Sequence, residues 1–111
     1  MTTLQAPSAL IIDVAKIRDY LLNRAHPVGR AKAAFFLSCG FKEGRPEELA
    51  DSLFEHASAG HVARSMQTPF GAKWVFEGPM KTPSGPVPAI RSVWIVRQNT
   101  SVGELVTAYK V

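Results

Sequence analysis

The apolar period of this chain changes once, and that change limits what it can fold into. From Val14 to about Ala59, apolar side chains recur at the three- and four-residue spacing of helices. From residue 61 the period shortens toward two, in segments separated by Pro-, Gly- and Asn-containing turns. Helices first and strands afterwards specify an α+β domain. At 111 residues with 46% hydrophobic content, the chain is expected to form one globular domain with a real core.

Local signals place the elements. Residues 1–8 read as a loose arm, so the domain is expected over 9–111. Ala9–Ile12 suits a short strand, and Asp13 then caps a first helix over about Val14–Asn23. Val14, Ile17, Tyr20 and Leu21 form its inner stripe, with Lys16, Asp19 and Asn23 outside. A second helix is predicted over about Gly29–Cys39, stopped by Gly40. Ala33, Ala34, Phe35, Phe36 and Leu37 surround its axis, which predicts burial on most sides. A third helix spans about Pro46–Ala59, with Pro46, Glu47 and Glu48 suited to its first turn. His56 lies beside Leu49 on its wheel, at the edge of the apolar stripe.

Val62–Gln67, Lys73–Met80, Ala89–Arg97 and Glu104–Lys110 read as four strands joined by short turns, which predicts an antiparallel meander. About three helices are therefore expected to pack on a four-stranded antiparallel sheet. Centring the last turn near Thr100 sets Trp94 opposite Thr107 and Ser92 opposite Tyr109. Val93, Ile95, Val106 and Ala108 then face the helices, and a slip of one residue reverses this picture.

Charge and cysteine usage narrow the setting. A net charge of +4 permits a polyanionic partner without demanding one. The single cysteine, Cys39, follows Phe35-Phe36-Leu37-Ser38 and reads as a buried thiol in a reducing cytoplasm. The start of the chain has no basic n-region, and Ala9–Ile12 is too short for a signal peptide or a membrane span. Export as part of a larger chain stays open.

The candidate chemistry centres on Leu21–Lys32. The second helix begins with Arg30 and Lys32, although a helix start carries partial positive charge and favours anions. No acidic residue lies between Asp19 and Glu43 to offset them. With His26 nearby, Gly29, Arg30 and Lys32 read as a phosphate-binding set. The plain alternative is that both cations extend into water. Cys39, His56 and His61 match no zinc-ligand spacing, so no metal is expected. No nucleophile elbow or Gly-rich phosphate loop occurs, and no cofactor is implied.

His26, Lys32, Arg91, Thr107 and Tyr109 form the candidate catalytic set. It suits RNA cleavage without a metal, because the ribose hydroxyl supplies the nucleophile. His26 exchanges protons as base or acid. Lys32 and Arg91 hold developing charge, and the hydroxyls of Thr107 and Tyr109 orient the phosphate. Each also has an ordinary role: His26 in its turn, Arg91 paired with Glu77 or Glu104, Thr107 by strand propensity, and Tyr109 by packing. Trp74 reads as core, and Trp94 stays open between core packing and base stacking.

Several blocks of the sequence carry a family resemblance. They are Ile17-Arg18-Asp19-Tyr20-Leu21-Leu22-Asn23, His26-Pro27, Gly29, Lys32-Ala33, Gly40-Phe41, Gly78-Pro79, Pro83-Ser84-Gly85, Arg91-Ser92-Val93-Trp94-Ile95 and Leu105-Val106-Thr107-Ala108-Tyr109. Over about residues 10–111 the chain resembles a bacterial domain family found free-standing and at the C-termini of polymorphic toxins. That family is similar to the barnase, EndoU, colicin and RelE group of ribonuclease folds. The chain departs from its pattern at Arg24-Ala25 and in the short segment from Gly60 to Gly71.

The resemblance implies a toxin-type, metal-independent endoribonuclease giving cyclic-phosphate ends. It also implies a cognate antitoxin or immunity protein as partner. Two other functions fit the residues: a non-catalytic protein-binding or regulatory module of such a system, and an RNA-binding domain.

Overall fold

The computed structural model describes residues 3–5, 10–58 and 62–111. Two short strands, β1 (Thr3–Gln5) and β2 (Leu10–Asp13), precede the helices. α1 (Val14–Lys16) runs directly into a π-helical turn (Ile17–Leu21), followed by α2 (Arg30–Ser38) and α3 (Pro46–Ser58). Four strands complete the chain: β3 (Val62–Thr68), β4 (Gly71–Pro79), β5 (Ala89–Val96) and β6 (Gly103–Lys110).

The expected meander is present as β3–β6, but the sheet is larger than four strands and is mixed. Its order is β1-β2-β6-β5-β4-β3. Every neighbouring pair is antiparallel except β2 and β6, which run parallel through Leu10↔Gly103 and Ile11↔Glu104. Turn chemistry reveals hairpins, whereas this pairing joins segments more than ninety residues apart and leaves no local signal. Thr3–Gln5 forms an edge strand on β2, within the segment read as a loose arm. Residues 1, 2 and 6–8 of that segment lie outside the described residues.

Local chemistry sets the helix boundaries. The Asp13 carboxylate accepts the Ala15 N–H at 2.9 Å and caps α1. The Leu22 N–H then reaches the Ile17 carbonyl at 2.8 Å, which closes the π turn. The extra residue lets Ile17, Leu21 and Leu22 all enter the core while Tyr20 faces β6. α2 buries Ala33 and Phe36 and leaves Ala34 exposed, so it is less enclosed than its composition predicts. Ala31 and Ala34 lie toward water, and the core side of the helix is carried by Ala33 and Phe36.

α3 buries Leu49, Ala50, Leu53, Phe54, His56 and Ala57. His56 is fully inside rather than at the edge, with its Nδ1 3.4 Å from the Pro79 carbonyl. Phe54 stacks on Trp94 with centroids 6.2 Å apart, so Trp94 belongs to the core.

The β5–β6 register corrects the expected one. Arg91 faces Tyr109, Ser92 faces Ala108 and Val93 faces Thr107, and a bulge between Val93 and Trp94 then sets Trp94 against Leu105. Ser92, Trp94 and Ala108 are buried under the helices. Arg91, Val93, Thr107 and Tyr109 share the opposite face. The slip of one residue follows from the indole. Trp94 needs both the Phe54 contact and a partner for its N–H, which donates to Ser92 Oγ at 2.9 Å.

Gly29 is required for close approach rather than for an unusual backbone angle. A Cβ there would lie 2.6 Å from Tyr20 Cδ1 and 2.8 Å from the Tyr20 carbonyl oxygen.

Two outcomes follow for stability. Ser92→Ala leaves the buried indole N–H unsatisfied and is expected to cost about 1–3 kcal/mol by denaturant unfolding. The added change Trp94→Phe should show a coupling energy with it in a double-mutant cycle. Gly29→Ala is expected to displace the Tyr20 ring and cost about 1–3 kcal/mol in the same assay, far more than Ala31→Gly at an exposed position nearby.

Candidate functional site

The functional cluster is organised by Tyr20, a residue the sequence places only in the inner stripe of helix one. The Tyr20 hydroxyl accepts a hydrogen bond from Lys32 Nζ at 2.8 Å and lies 3.1 Å from Thr107 Oγ1. Lys32 Nζ sits 5.3 Å from the Tyr20 ring centroid and 5.8 Å from that of Tyr109. Among the described residues it has no carboxylate within ion-pair distance. A half-buried ammonium therefore has one phenol oxygen and two aromatic faces for company.

This setting alters the phenol. Burial opposes ionisation of Tyr20, and the hydrogen bonds with Lys32 and Thr107 favour it. The positive charges of Lys32 and Lys16 add to their effect, so Tyr20 ionises below the ordinary tyrosine range. Lys16 Nζ lies 5.6 Å from the Tyr20 ring centroid.

His26 stands edge-on to Tyr20, with ring centroids 5.0 Å apart. Its Nδ1 accepts the backbone N–H groups of Val28 at 3.1 Å and Gly29 at 3.0 Å. The His26 carbonyl also takes the Arg30 N–H at 3.1 Å. The imidazole thus closes the start of α2, where a phosphate was expected. With the Nδ1 lone pair occupied by two donors, the ring proton belongs on Nε2. In this conformation the ring can donate from Nε2. Taking up a second proton at Nδ1 would break both contacts.

The other predicted residues divide into two groups. Gly29 packs under the Tyr20 ring, and Arg30 is exposed and stands apart from the cluster. The N–H groups of Val28 and Gly29 are taken by His26 Nδ1 and that of Arg30 by the His26 carbonyl, so these three do not face an anion in this arrangement. Arg91 and Tyr109 form the second group. Arg91 Nη1 donates to Tyr109 Oη at 3.5 Å, and Nη2 pairs with Glu77 at 3.1 Å. Tyr109 and Glu77 both hold the guanidinium in its charged form. Arg91 Nε is buried without a hydrogen-bond partner. Lys32, over the Tyr109 ring, links the two groups.

Two surface hollows meet at this cluster. One is lined by Lys16, Asp19, Tyr20, His26, Val28 and Thr107, among others. Of its carboxylates, Asp19 is paired with Arg18 at 2.9 Å and Asp13 caps α1. The other hollow runs along the sheet face from Tyr109 and Thr107 to Phe70. Thr107 and Val106 line both. Lys32 reaches the first hollow through Tyr20 rather than as part of its wall.

Among the described residues, no three His, Cys, Asp or Glu side chains are grouped closely enough to hold a metal ion. Cys39 is buried, and His61 lies outside the described residues. Among the described residues, no helix is long and apolar enough to cross a membrane. The arrangement can hold a polarised phenol oxygen at an open junction, with hydrogen-bond donors on either side.

Comparison with known proteins gives the fold a relative. A chain in a contact-dependent growth inhibition toxin–immunity protein complex from Klebsiella pneumoniae 342 superposes with a TM-score of 0.70. The match covers 90% of this chain and 98% of that one, at 16% identity, so it establishes similarity of fold. No curated protein matches the sequence. A family described as a domain of unknown function, DUF6883, matches residues 3–111, and the chain belongs to that family.

Proposed function

We propose that this domain is the toxic module of a bacterial toxin system and cleaves RNA without a metal. The observation that carries the proposal is the Tyr20 hydroxyl, held by Lys32 and Thr107 where two open hollows meet. Cleavage of RNA by its own 2′-hydroxyl needs a proton acceptor, charge stabilisation and a shaped site, but no protein nucleophile. The lowered pKa of Tyr20 suits its oxygen to accept the 2′-hydroxyl proton. The 2′ oxygen then attacks phosphorus and the bond to the 5′ oxygen breaks. The leaving oxygen takes a proton from solvent in the open groove, and the product carries a 2′,3′-cyclic phosphate.

The remaining residues have distinct roles in this scheme. Lys32 favours the anionic form of the phenol oxygen and adds positive potential at the phosphate. His26 donates from Nε2 to a phosphoryl oxygen. Thr107 orients Tyr20 and borders the phosphate. Arg91 and Tyr109 hold the sheet side of the site, with the Arg91 charge largely compensated by Glu77. Similarity of fold to a chain from a toxin–immunity complex supports a cognate immunity or antitoxin protein as partner. The cytoplasm, where RNA substrates are found, is the site of action.

Incubation of purified protein with mixed RNA in excess chelator is expected to give cyclic-phosphate ends. Tyr20→Phe should lower the rate by about 10²–10⁴-fold with the fold intact by circular dichroism. RNA binding without cleavage, unaffected by Tyr20→Phe, would identify a binding domain instead.

The base must be ionised, so the rate should rise with pH and level off above the lowered Tyr20 pKa. Lys32→Met should move that rise to higher pH. The same shift should appear in an ultraviolet phenolate titration, and the low-titrating phenol should vanish in Tyr20→Phe.

A further inference from the structure

The hollow beside the cluster has features that the cleavage chemistry leaves unexplained. Its floor is apolar, built from Val93, Ile95 and Val106 of the sheet face, and Val106 is 39% exposed. One end is Thr107 and Tyr109; the other is Phe70, whose side chain is 74% exposed. Lys73 stands on its wall, and among the described residues has no carboxylate partner. The hollow encloses about 640 Å³, within the range of pockets that take small ligands.

Phe70 is exposed, yet the backbone beneath it is fixed. Thr68 Oγ1 accepts the Phe70 N–H at 3.1 Å and donates to the Gly71 carbonyl at 2.8 Å. Gly71 has φ 130°, and a Cβ there would collide with the Val96 carbonyl oxygen and lie 2.8 Å from Arg97 Cα. The β3–β4 turn is thus pressed onto the end of β5 in a form that requires glycine. The fixed backbone holds an aromatic side chain at the rim of an apolar hollow, which lowers the ordering left to do when a flat ligand binds.

We propose that this hollow is a nucleobase subsite, which makes the substrate single-stranded RNA. The base of the nucleotide next to the cleaved phosphate stacks on Phe70 over the Val93–Ile95–Val106 floor, and Lys73 meets a flanking phosphate. This rests on the cleavage reading above and deepens it. Three observations select a nucleotide as occupant. The hollow is continuous with the Tyr20 junction through Thr107, its apolar floor and aromatic end suit a π-face, and its free cation suits a phosphate. A paired base cannot present its face to Phe70 without leaving its stack, so duplex RNA is excluded.

The test pairs protein and RNA changes. On a single-stranded oligoribonucleotide with one cleavable phosphate, Phe70→Ala should raise KM roughly tenfold. kcat at saturation should hold, and Phe70→Trp should restore KM. Substrates with an abasic nucleotide on one or the other side of that phosphate locate the base. On one of them the wild-type protein should lose the same factor, with no further loss in Phe70→Ala. Binding of an uncleaved oligonucleotide to Tyr20→Phe protein should follow the same pattern.

Wild-type cleavage with KM unchanged in Phe70→Ala, or an equal rise in KM on abasic substrates in both proteins, overturns the subsite and leaves the reaction standing. Neither cleavage nor oligonucleotide binding by the wild-type protein overturns both.

Discussion

The parallel contact between β2 and β6 is the constraint on which the rest of this molecule depends. It is only two residue pairs long, Leu10↔Gly103 and Ile11↔Glu104. It nevertheless decides where the chain stands when Asp13 turns it into a helix. α1 and the π turn follow directly, and Tyr20 arrives within 3.1 Å of Thr107 on β6. Gly103 is part of the same fit, since a Cβ there would lie 2.8 Å from Leu10 Cδ2. Covering the free edge of β6 and delivering a phenol to it are therefore one structural event.

The charges around that phenol are arranged unequally. Arg91 has Glu77 to neutralise it, and Arg97 has Glu104. Among the described residues, Lys32 has the Tyr20 hydroxyl and two aromatic faces and no carboxylate. A cation this enclosed stabilises any negative charge that appears on the oxygen it touches. Basicity of the chain as a whole gives no hint of this, because the effect depends on where two ammonium groups stand, Lys32 at 2.8 Å from the hydroxyl and Lys16 near the ring. Arg30 shows the contrast: it is two positions earlier in the same helix and lies in solvent.

Much of the fold was legible because its signals are local. Asp13 caps α1, Pro46 opens α3, and α2 ends at Cys39, where Gly40 has φ 98°. Alternation marks β4, β5 and β6. Signals that depend on distant contacts were not legible. The β2–β6 pairing, the bulge between Val93 and Trp94 and the extra residue of the π turn arise from packing across the domain. The candidate site followed the same division. Lys32 and Thr107 were named for their chemistry and do stand together, but Tyr20, which joins them, read as core. Its one advance signal was that a tyrosine hydroxyl on a buried stripe must find a partner. His26 sits in its turn, with its Nδ1 committed to the backbone.

The π turn separates two demands that an ordinary helix would couple. In a regular helix, rotating one residue to suit a neighbour rotates the whole apolar stripe. Here the inserted residue lets Ile17, Leu21 and Leu22 anchor the segment while the aim of Tyr20 is set independently. Loss of a single residue from this stretch would preserve the hydrophobic seal and turn the phenol about a quarter-circle away from β6. A descendant of this chain would in that way keep its shape after losing the contact between the phenol and β6.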